Sequence, residues 1–286
     1  MINYEALKET MMGMTYEEIE EAVKKNAVVL FPVGVVEAHG PHLPLGTDII
    51  ISLNQAIAIK KRFNNAKRAC VIAPPFYFGG TQAMTRQFAG TFTSSEEHIV
   101  TAVRDILDSL ARFGFKRVVF QNAHGDAIQK RAMIRAIIES NKVHEMKCFW
   151  PEYEDDLERS GFSGDEDYLL KIDPVKDACA FYEEQPSKTE FDVHAGGYET
   201  RMMSEICSDQ VRTDRIEELP CVDLQGEERF LWNKGEKEHI DLVPRAYVGD
   251  PKHYKYVHFD SEIIYQEYAD FLIQKLEAQM SPVKSI

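Results

Sequence analysis

The chain has 286 residues with 33 Lys and Arg against 47 Asp and Glu, a formal net charge of −14, which excludes a general nucleic-acid or membrane-surface binder because an acidic surface repels phosphates. A composition 44% hydrophobic and 28% charged is that of a folded globular chain, enough for one large α/β domain or two small ones. No apolar run approaches the roughly 20 residues that span a bilayer, and Met1 to Glu9 carries acids where a signal peptide has a basic start, so a cytoplasmic location is expected.

After an amphipathic stretch, Thr15 to Lys25, the run Ala27 to Gly34 is apolar on both faces and reads as a buried parallel strand. A helical pattern runs from Asp48, an N-cap or first-turn acid, to about Phe63. Cys70 to Pro74 is a second short strand, followed by a loop at Gly79-Gly80. Ser94 or Ser95 caps a helix through Phe113, its apolar face formed by Ile99, Val103, Ile106 and Leu110, with Gly114 as its stop. Arg117 to Gln121 predicts a third strand, Asp126 to about Asn141 a helix, and Met146 to Trp150 a fourth strand.

Strands and helices in alternation predict a doubly wound, mainly parallel sheet, in which ligands bind beyond the carboxyl ends of the strands. The loops after Gly34, Pro75, Gln121 and Trp150 are therefore the places for chemistry. From Pro151 to Glu190 the pattern dissolves into 13 acids and 4 bases, read as an acidic insertion with a solvated face, or a lid or interaction surface. Signals weaken from Arg212 until Asp260 to Met280, a terminal helix. Five cysteines, with no two of them three apart, suggest neither a disulfide framework nor a Cys-x-x-Cys site.

Directly after the first strand stand Glu37 and His39, two apart, a spacing that in extended backbone points both side chains to one side. Asp48 follows across a loop stiffened by Pro41 and Pro44 and turned at Gly40 and Gly46, which can return a carboxylate to the place the chain left. The third strand ends in Asn122-Ala123-His124-Gly125-Asp126, again a histidine and an acid at a carboxyl end. Asp126 also suits a helix N-cap, and His124 alone suits a turn histidine. A third cluster, Asp192 to Thr200, holds His194 and, in the first turn of a helix, Glu199, where the helix dipole favours a carboxylate with or without a metal.

These residues resemble the creatininase family of creatinine amidohydrolase-like metal hydrolases, whose hallmark Glu-x-His-Gly-x-His-Leu-Pro-Leu-Gly-Thr-Asp is met from Glu37 to Asp48. Weaker matches are Asn122-Ala123-His124, His194 to Thr200 and Gly249-Asp250-Pro251. The resemblance implies a single α/β domain over residues 1–286, with the acidic insertion at about 151–190 unexplained, assembled into homo-oligomers, often hexamers. It implies one or two divalent metals per subunit, zinc or manganese, with iron a further choice. Glu37, His39, Asp48 and His124 become ligands, with Asp48 bridging if two ions are present, and His194 becomes a proton-transfer histidine. Either Asp126 or Glu199 supplies the remaining carboxylate. Ala123, Asp126 and the pair Met84-Thr85 depart from the family pattern.

Such a metal lowers the pKa of bound water to about 7 and polarises a carbonyl, so the expected activity is hydrolysis of a small cyclic amide or related amide. The alternatives are hydrolysis of an oxidised, inositol-type carbohydrate ring and a non-catalytic metal-binding assembly protein. The sequence shows no Gly-x-Ser-x-Gly elbow, phosphate loop or Gly-x-Gly-x-x-Gly fingerprint. Cys70 and Cys148 read as small buried hydrophobes and not as nucleophiles.

Overall fold

In the computed structural model, which describes residues 5–154, 161–172, 179–181 and 189–278, the run apolar on both faces is strand β1 (Val28–Val33), buried at every residue. It lies inside a five-stranded sheet with β2 (Cys70–Ile72), β3 (Arg117–Asn122), β4 (Lys147–Tyr153) and β5 (Leu169–Ile172), in the order β2-β1-β3-β4-β5. All four pairings are parallel. The longer helices are α1 (Tyr16–Lys24), α2 (Thr47–Asn65), α3 (Glu96–Phe113), α4 (Ala127–Val143), α5 (Gly197–Ile206), α6 (Glu227–Lys234) and α7 (Ser261–Ala278). No helix among the described residues is long and apolar enough to cross a membrane.

Alternation along β1 explains why it is apolar throughout. Val29, Phe31 and Val33 pack with Ala22 of α1, Ile99, Val103, Leu107 and Leu110 of α3, and Ala132, Met133, Ala136 and Ile137 of α4. Val28 and Leu30 face the other way, onto Leu53, Ala56, Ile59 and Phe63 of α2 and Tyr268, Ala269, Leu272 and Leu276 of α7. The chain is thus a single α/β domain, a parallel sheet between two helical layers.

Local signals set the helix ends. Thr15 and Glu18 form a capping box at α1. Ser95 accepts from His98 N at α3, whose far end is closed by Gly114 at φ +104°, a conformation glycine adopts without a Cβ clash. Asp260 Oδ1 accepts from Ile263 N at 3.0 Å at the start of α7.

The segment in which the sequence shows no pattern carries structure. β4 continues through Tyr153, and Leu169, Leu170 and Ile172 are buried in β5, where Leu169 pairs with Trp150. An acid-rich stretch thus supplies a fifth strand. Cys179–Phe181 pairs antiparallel with Val257–Phe259 as a separate ribbon, β6 and β7. Other parts of the 151–190 stretch, and Gln279 and Met280 of the expected terminal helix, lie outside the described residues.

Candidate metal centre

The carboxyl ends of β1 and β3 are neighbours, Val33 lying opposite Asn122. Connections leave these two strands toward opposite sides of the sheet, which opens a crevice between their loops. Past β1 the backbone stays extended, with Val35 bridged to Phe78 and Val36 to Phe92, and delivers Glu37 and His39 to the crevice. Gly40 then turns the chain at φ +65°, in the region glycine enters without strain. Glu37 N donates to Leu45 O at 3.0 Å, so the loop closes on itself and sets Asp48, in the first turn of α2, beside Glu37. His124 arrives two residues beyond β3. His194 precedes α5, and Glu199 sits in the first turn of that helix, its Oε2 accepting from Ala195 N at 2.6 Å.

Each of the three imidazoles spends one N–H on a backbone carbonyl. His39 Nδ1 donates to Glu37 O at 3.0 Å, His124 Nε2 to Gly80 O at 3.1 Å and His194 Nε2 to Ala38 O at 2.8 Å. A carbonyl can only accept, so these bonds fix the tautomers of the neutral rings and leave His39 Nε2, His124 Nδ1 and His194 Nδ1 as lone pairs. All three face carboxylate oxygens. Asp48 Oδ1 is 3.2 Å from His39 Nε2 and its Oδ2 3.1 Å from His124 Nδ1. Glu37 Oε1 is 3.1 Å from His124 Nδ1 and 3.8 Å from His194 Nδ1. Glu199 Oε2 is 3.9 Å from His39 Nε2. Two compartments, Glu37-Asp48-His124 and His39-Asp48-Glu199, therefore share Asp48, and Glu37-His39-His194 forms a third grouping of potential ligand atoms.

The acids are deeply buried for their charge: Glu37 and Asp48 are each 1% exposed. Burial opposes ionisation of Glu37, but His124 and His194 bring its pKa down to about 2. Burial likewise works against Asp48, which His39 and His124 hold well below the usual carboxylate range. On the imidazole side burial disfavours the cation, yet Asp48, followed by Glu199 and Glu37, lifts His39 to about 10. Against the same burial, Glu37 and Asp48 raise His124 well above an ordinary histidine. At Glu199 burial prevails over His39 and His194 and pushes its carboxyl up.

These features fit a divalent cation. Asp48 Oδ2 is buried without a hydrogen-bond partner, and the nitrogen it faces belongs to a ring whose N–H is committed to Gly80. Two lone pairs at 3.1 Å repel unless a proton or a metal cation stands between them, and a cation can take the place of the proton that His124 holds in the metal-free protein. A donor set of carboxylate and imidazole without thiolate suits zinc, manganese or iron.

Of the acids named from the sequence, Glu37, Asp48 and Glu199 enter these groupings and Asp126 does not. Asp126 is the N-cap of α4: Oδ1 accepts from Ile128 N, and Oδ2 accepts from Gln82 N at 2.7 Å and Ala83 N at 2.9 Å. Those amides hold Asp126 as a helix cap outside the groupings, and Glu199 is the carboxylate that stands opposite His39. Thr85, met in the sequence only as a departure from the family pattern, donates from Oγ1 to Glu37 Oε2 at 2.6 Å. Trp232 carried no sequence signal. It packs against His194 with ring centroids 5.6 Å apart and, with Phe191 and Phe230, walls a cavity of about 1230 Å³ that reaches Glu37, Asp48, His124, His194 and Glu199.

The family model for creatininase, described as creatinine amidohydrolase, matches residues 12–272. A mycofactocin precursor peptide peptidase of Mycolicibacterium smegmatis is 36% identical over 118 residues, 39% of this chain and 44% of that protein. The 3-dehydro-scyllo-inosose hydrolase of Thermotoga maritima is 26% identical over 112 residues, 39% of this chain and 34% of its own length. The matched stretch therefore spans less than half the length of either relative. The creatinine amidohydrolase of Pseudomonas putida is 26% identical over 220 residues, 72% of this chain and 75% of that one. Among solved structures, a mutant creatininase complexed with creatine superposes with a TM-score of 0.66 at 19% identity, covering 94% of this chain and 97% of that one. A manganese creatininase does so at 0.63 and 18%, with the same coverage. These two likenesses establish a shared fold.

Proposed function

The chain belongs to the creatininase family, and from that membership we propose that it is a metal-dependent hydrolase of a small cyclic amide or related amide. The observation that carries the proposal is the set of three imidazoles, each with one nitrogen pinned to a carbonyl and the other turned toward Glu37, Asp48 or Glu199. Glu37, Asp48 and His124 would hold one ion and His39, Asp48 and Glu199 a second, zinc or manganese by the donor chemistry, with iron also compatible. A bound cation of this kind supplies two things, polarisation of the scissile carbonyl and a water acidic enough to ionise near neutral pH.

The protein side chains do the rest. His194 lines the cavity and has its Nε2 occupied by the Ala38 carbonyl, so Nδ1 is the atom free to take a proton from the attacking water and pass it to the leaving nitrogen. The indole of Trp232 packs beside that imidazole and covers one side of it. Thr85 holds Glu37 in place by the hydroxyl bond to Oε2.

Hydrolysis of an oxidised carbohydrate ring is the second reading, favoured by the similarity to the Thermotoga maritima inosose hydrolase. Metal-loaded protein assayed on creatinine and other lactams, formamides and cyclic polyol ketones separates the two. Turnover that a chelator abolishes and that His39→Ala lacks supports the proposal. Equal hydrolysis by wild type and His39→Ala on every substrate refutes it, and bound metal without turnover favours a non-catalytic assembly protein. Assembly into a homo-oligomer, hexameric by the family precedent, belongs to the same proposal, and light scattering measures it.

A further inference from the structure

The two walls of the centre come from segments far apart in the chain, the Glu37–Asp48 loop and the turn into α5, and two side-chain bonds tie them together. One is the bond from His194 Nε2 to Ala38 O. The other joins His42 Nε2 to Thr200 Oγ1 at 2.9 Å, between residues 158 apart. His42 has no place in any of the ligand groupings, yet it is fully buried. Its carbonyl accepts from Arg212 N at 2.9 Å, and Tyr247 meets its ring edge-on at 6.3 Å. Its Nδ1 is buried without a hydrogen-bond partner against Gly40, where a Cβ would approach that atom to 2.8 Å. A histidine kept only to fill this space would be worse than an apolar side chain, because it leaves a polar atom unsatisfied.

Thr200 follows Glu199 in the first turn of α5. Glu199 is the group in the second compartment whose placement depends most on that helix: at 16% exposed it is less enclosed than Asp48 or His39, and its Oε2 stands 3.9 Å from His39 Nε2. The first compartment does not depend on α5, since Glu37 is held by Thr85 and Leu45, and His124 by Gly80. We infer that His42 is a positioning residue for the second compartment, its bond to Thr200 fixing the first turn of α5 so that Glu199 stands opposite His39 and Asp48. With that bond removed, the tie from His194 to Ala38 and the packing of Ala195 and Met203 on Leu43 and Ile51 keep α5 docked, while its first turn loses the side-chain bond that sets Glu199 against the loop.

This rests on the metal-hydrolase proposal, and its test reads metal binding directly. Metal-free wild type, Thr200→Val, Thr200→Ser, His42→Ala and the double variant His42→Ala/Thr200→Val are titrated with Zn²⁺ against a chromophoric chelator. Wild type is expected to take two ions. Thr200→Val and His42→Ala should weaken one of them about 10- to 100-fold, the range for residues that orient a ligand, and leave the other unchanged. Thr200→Ser, which keeps the hydroxyl, restores wild-type affinity, and the double variant is no weaker than His42→Ala alone. Thr200→Val nearly preserves side-chain shape and reads the bond even if His42→Ala fails to fold. Equal weakening of both ions, loss in Thr200→Ser to the same degree as in Thr200→Val, or unchanged binding in all variants overturns the positioning role. Fewer than two ions in wild type instead overturns the two-compartment centre, and the role of His42 with it.

Discussion

Removing the metal should make the protein lose stability as pH rises through the neutral range, and loading it should reverse that trend. In the metal-free protein Asp48, Glu199 and Glu37 lift the buried His39 imidazole to about 10, against about 6.5 in an unfolded chain. A group raised on folding binds its proton more tightly in the native state, so its contribution is fully present below the unfolded pKa and fades as pH climbs toward the folded one. Each pKa unit is worth about 1.4 kcal/mol. By linkage, His39 alone then loses on the order of 3 kcal/mol between about pH 6.5 and 9. His124, raised by Glu37 and Asp48, adds in the same direction. At about 1.7 °C per kcal/mol for a chain of 286 residues, the melting temperature of chelator-treated protein should fall by about 5 °C over that interval. A divalent cation competes with those same protons, so its stabilising effect grows as pH rises and its binding releases protons.

Differential scanning calorimetry of chelated and Zn²⁺-loaded protein, at steps from pH 5.5 to 9, checks both limbs. A gap between the two melting temperatures that is constant with pH would refute the reasoning. So would chelated protein that gains stability from pH 6.5 to 9, because either result means that the imidazoles are not the groups opposing Glu37 and Asp48.

The other predictions address single residues. His194→Gln should lower kcat by about 10²- to 10⁴-fold, the usual weight of a proton-transferring side chain, with metal content by elemental analysis unchanged. Loss of metal in that variant would make His194 a ligand instead. Glu199→Gln should cost one equivalent of metal, whereas Asp126→Ala should keep full metal content and lose about 1–2 kcal/mol of stability as a missing helix cap; the opposite pattern would return Asp126 to the centre. Leu170→Ala, which truncates a buried side chain of β5, should destabilise by about 2–5 kcal/mol in chemical unfolding, whereas a solvated insertion would register almost nothing.

What was legible in the sequence follows from how each feature is encoded. β1 and β3 are interior parallel strands covered on both faces, so Val28 to Val33 and Val118 to Phe120 appear as unbroken apolar runs. Glu37, His39 and Asp48 could be named because their spacing brings unusual residue types to the end of such a strand. β5 could not. Leu169-Leu170-Lys171-Ile172 is four residues long, lies among acids, and carries an exposed lysine as edge strands commonly do. The choice between Asp126 and Glu199 was closed to local reasoning for a different reason. Both stand at helix N-termini, which welcome a carboxylate whether or not it binds metal, and the two are separated by a long-range contact, the approach of the Gln82 and Ala83 amides to Asp126 Oδ2. His42 and Thr200 appear in the sequence as parts of the family segments, but their role is not legible there because it lies in a bond across 158 residues.

The choice of imidazole as the charge opposite the acids carries a further consequence. Ionised carboxylates buried as deeply as Glu37 and Asp48 need positive charge nearby or they take up protons. Helix N-termini supply part of it, since Asp48 and Glu199 both lie in first turns. The rest comes from His39 and His124. An ammonium or guanidinium in their place would neutralise the acids permanently and occupy the crevice. An imidazole does so only while protonated, and the carbonyls of Glu37 and Gly80 hold these two rings so that the proton each can surrender is the one facing the acids. The metal-free chain can therefore fold with its acids compensated by protons, and a divalent cation can later displace those protons without any side chain having to leave.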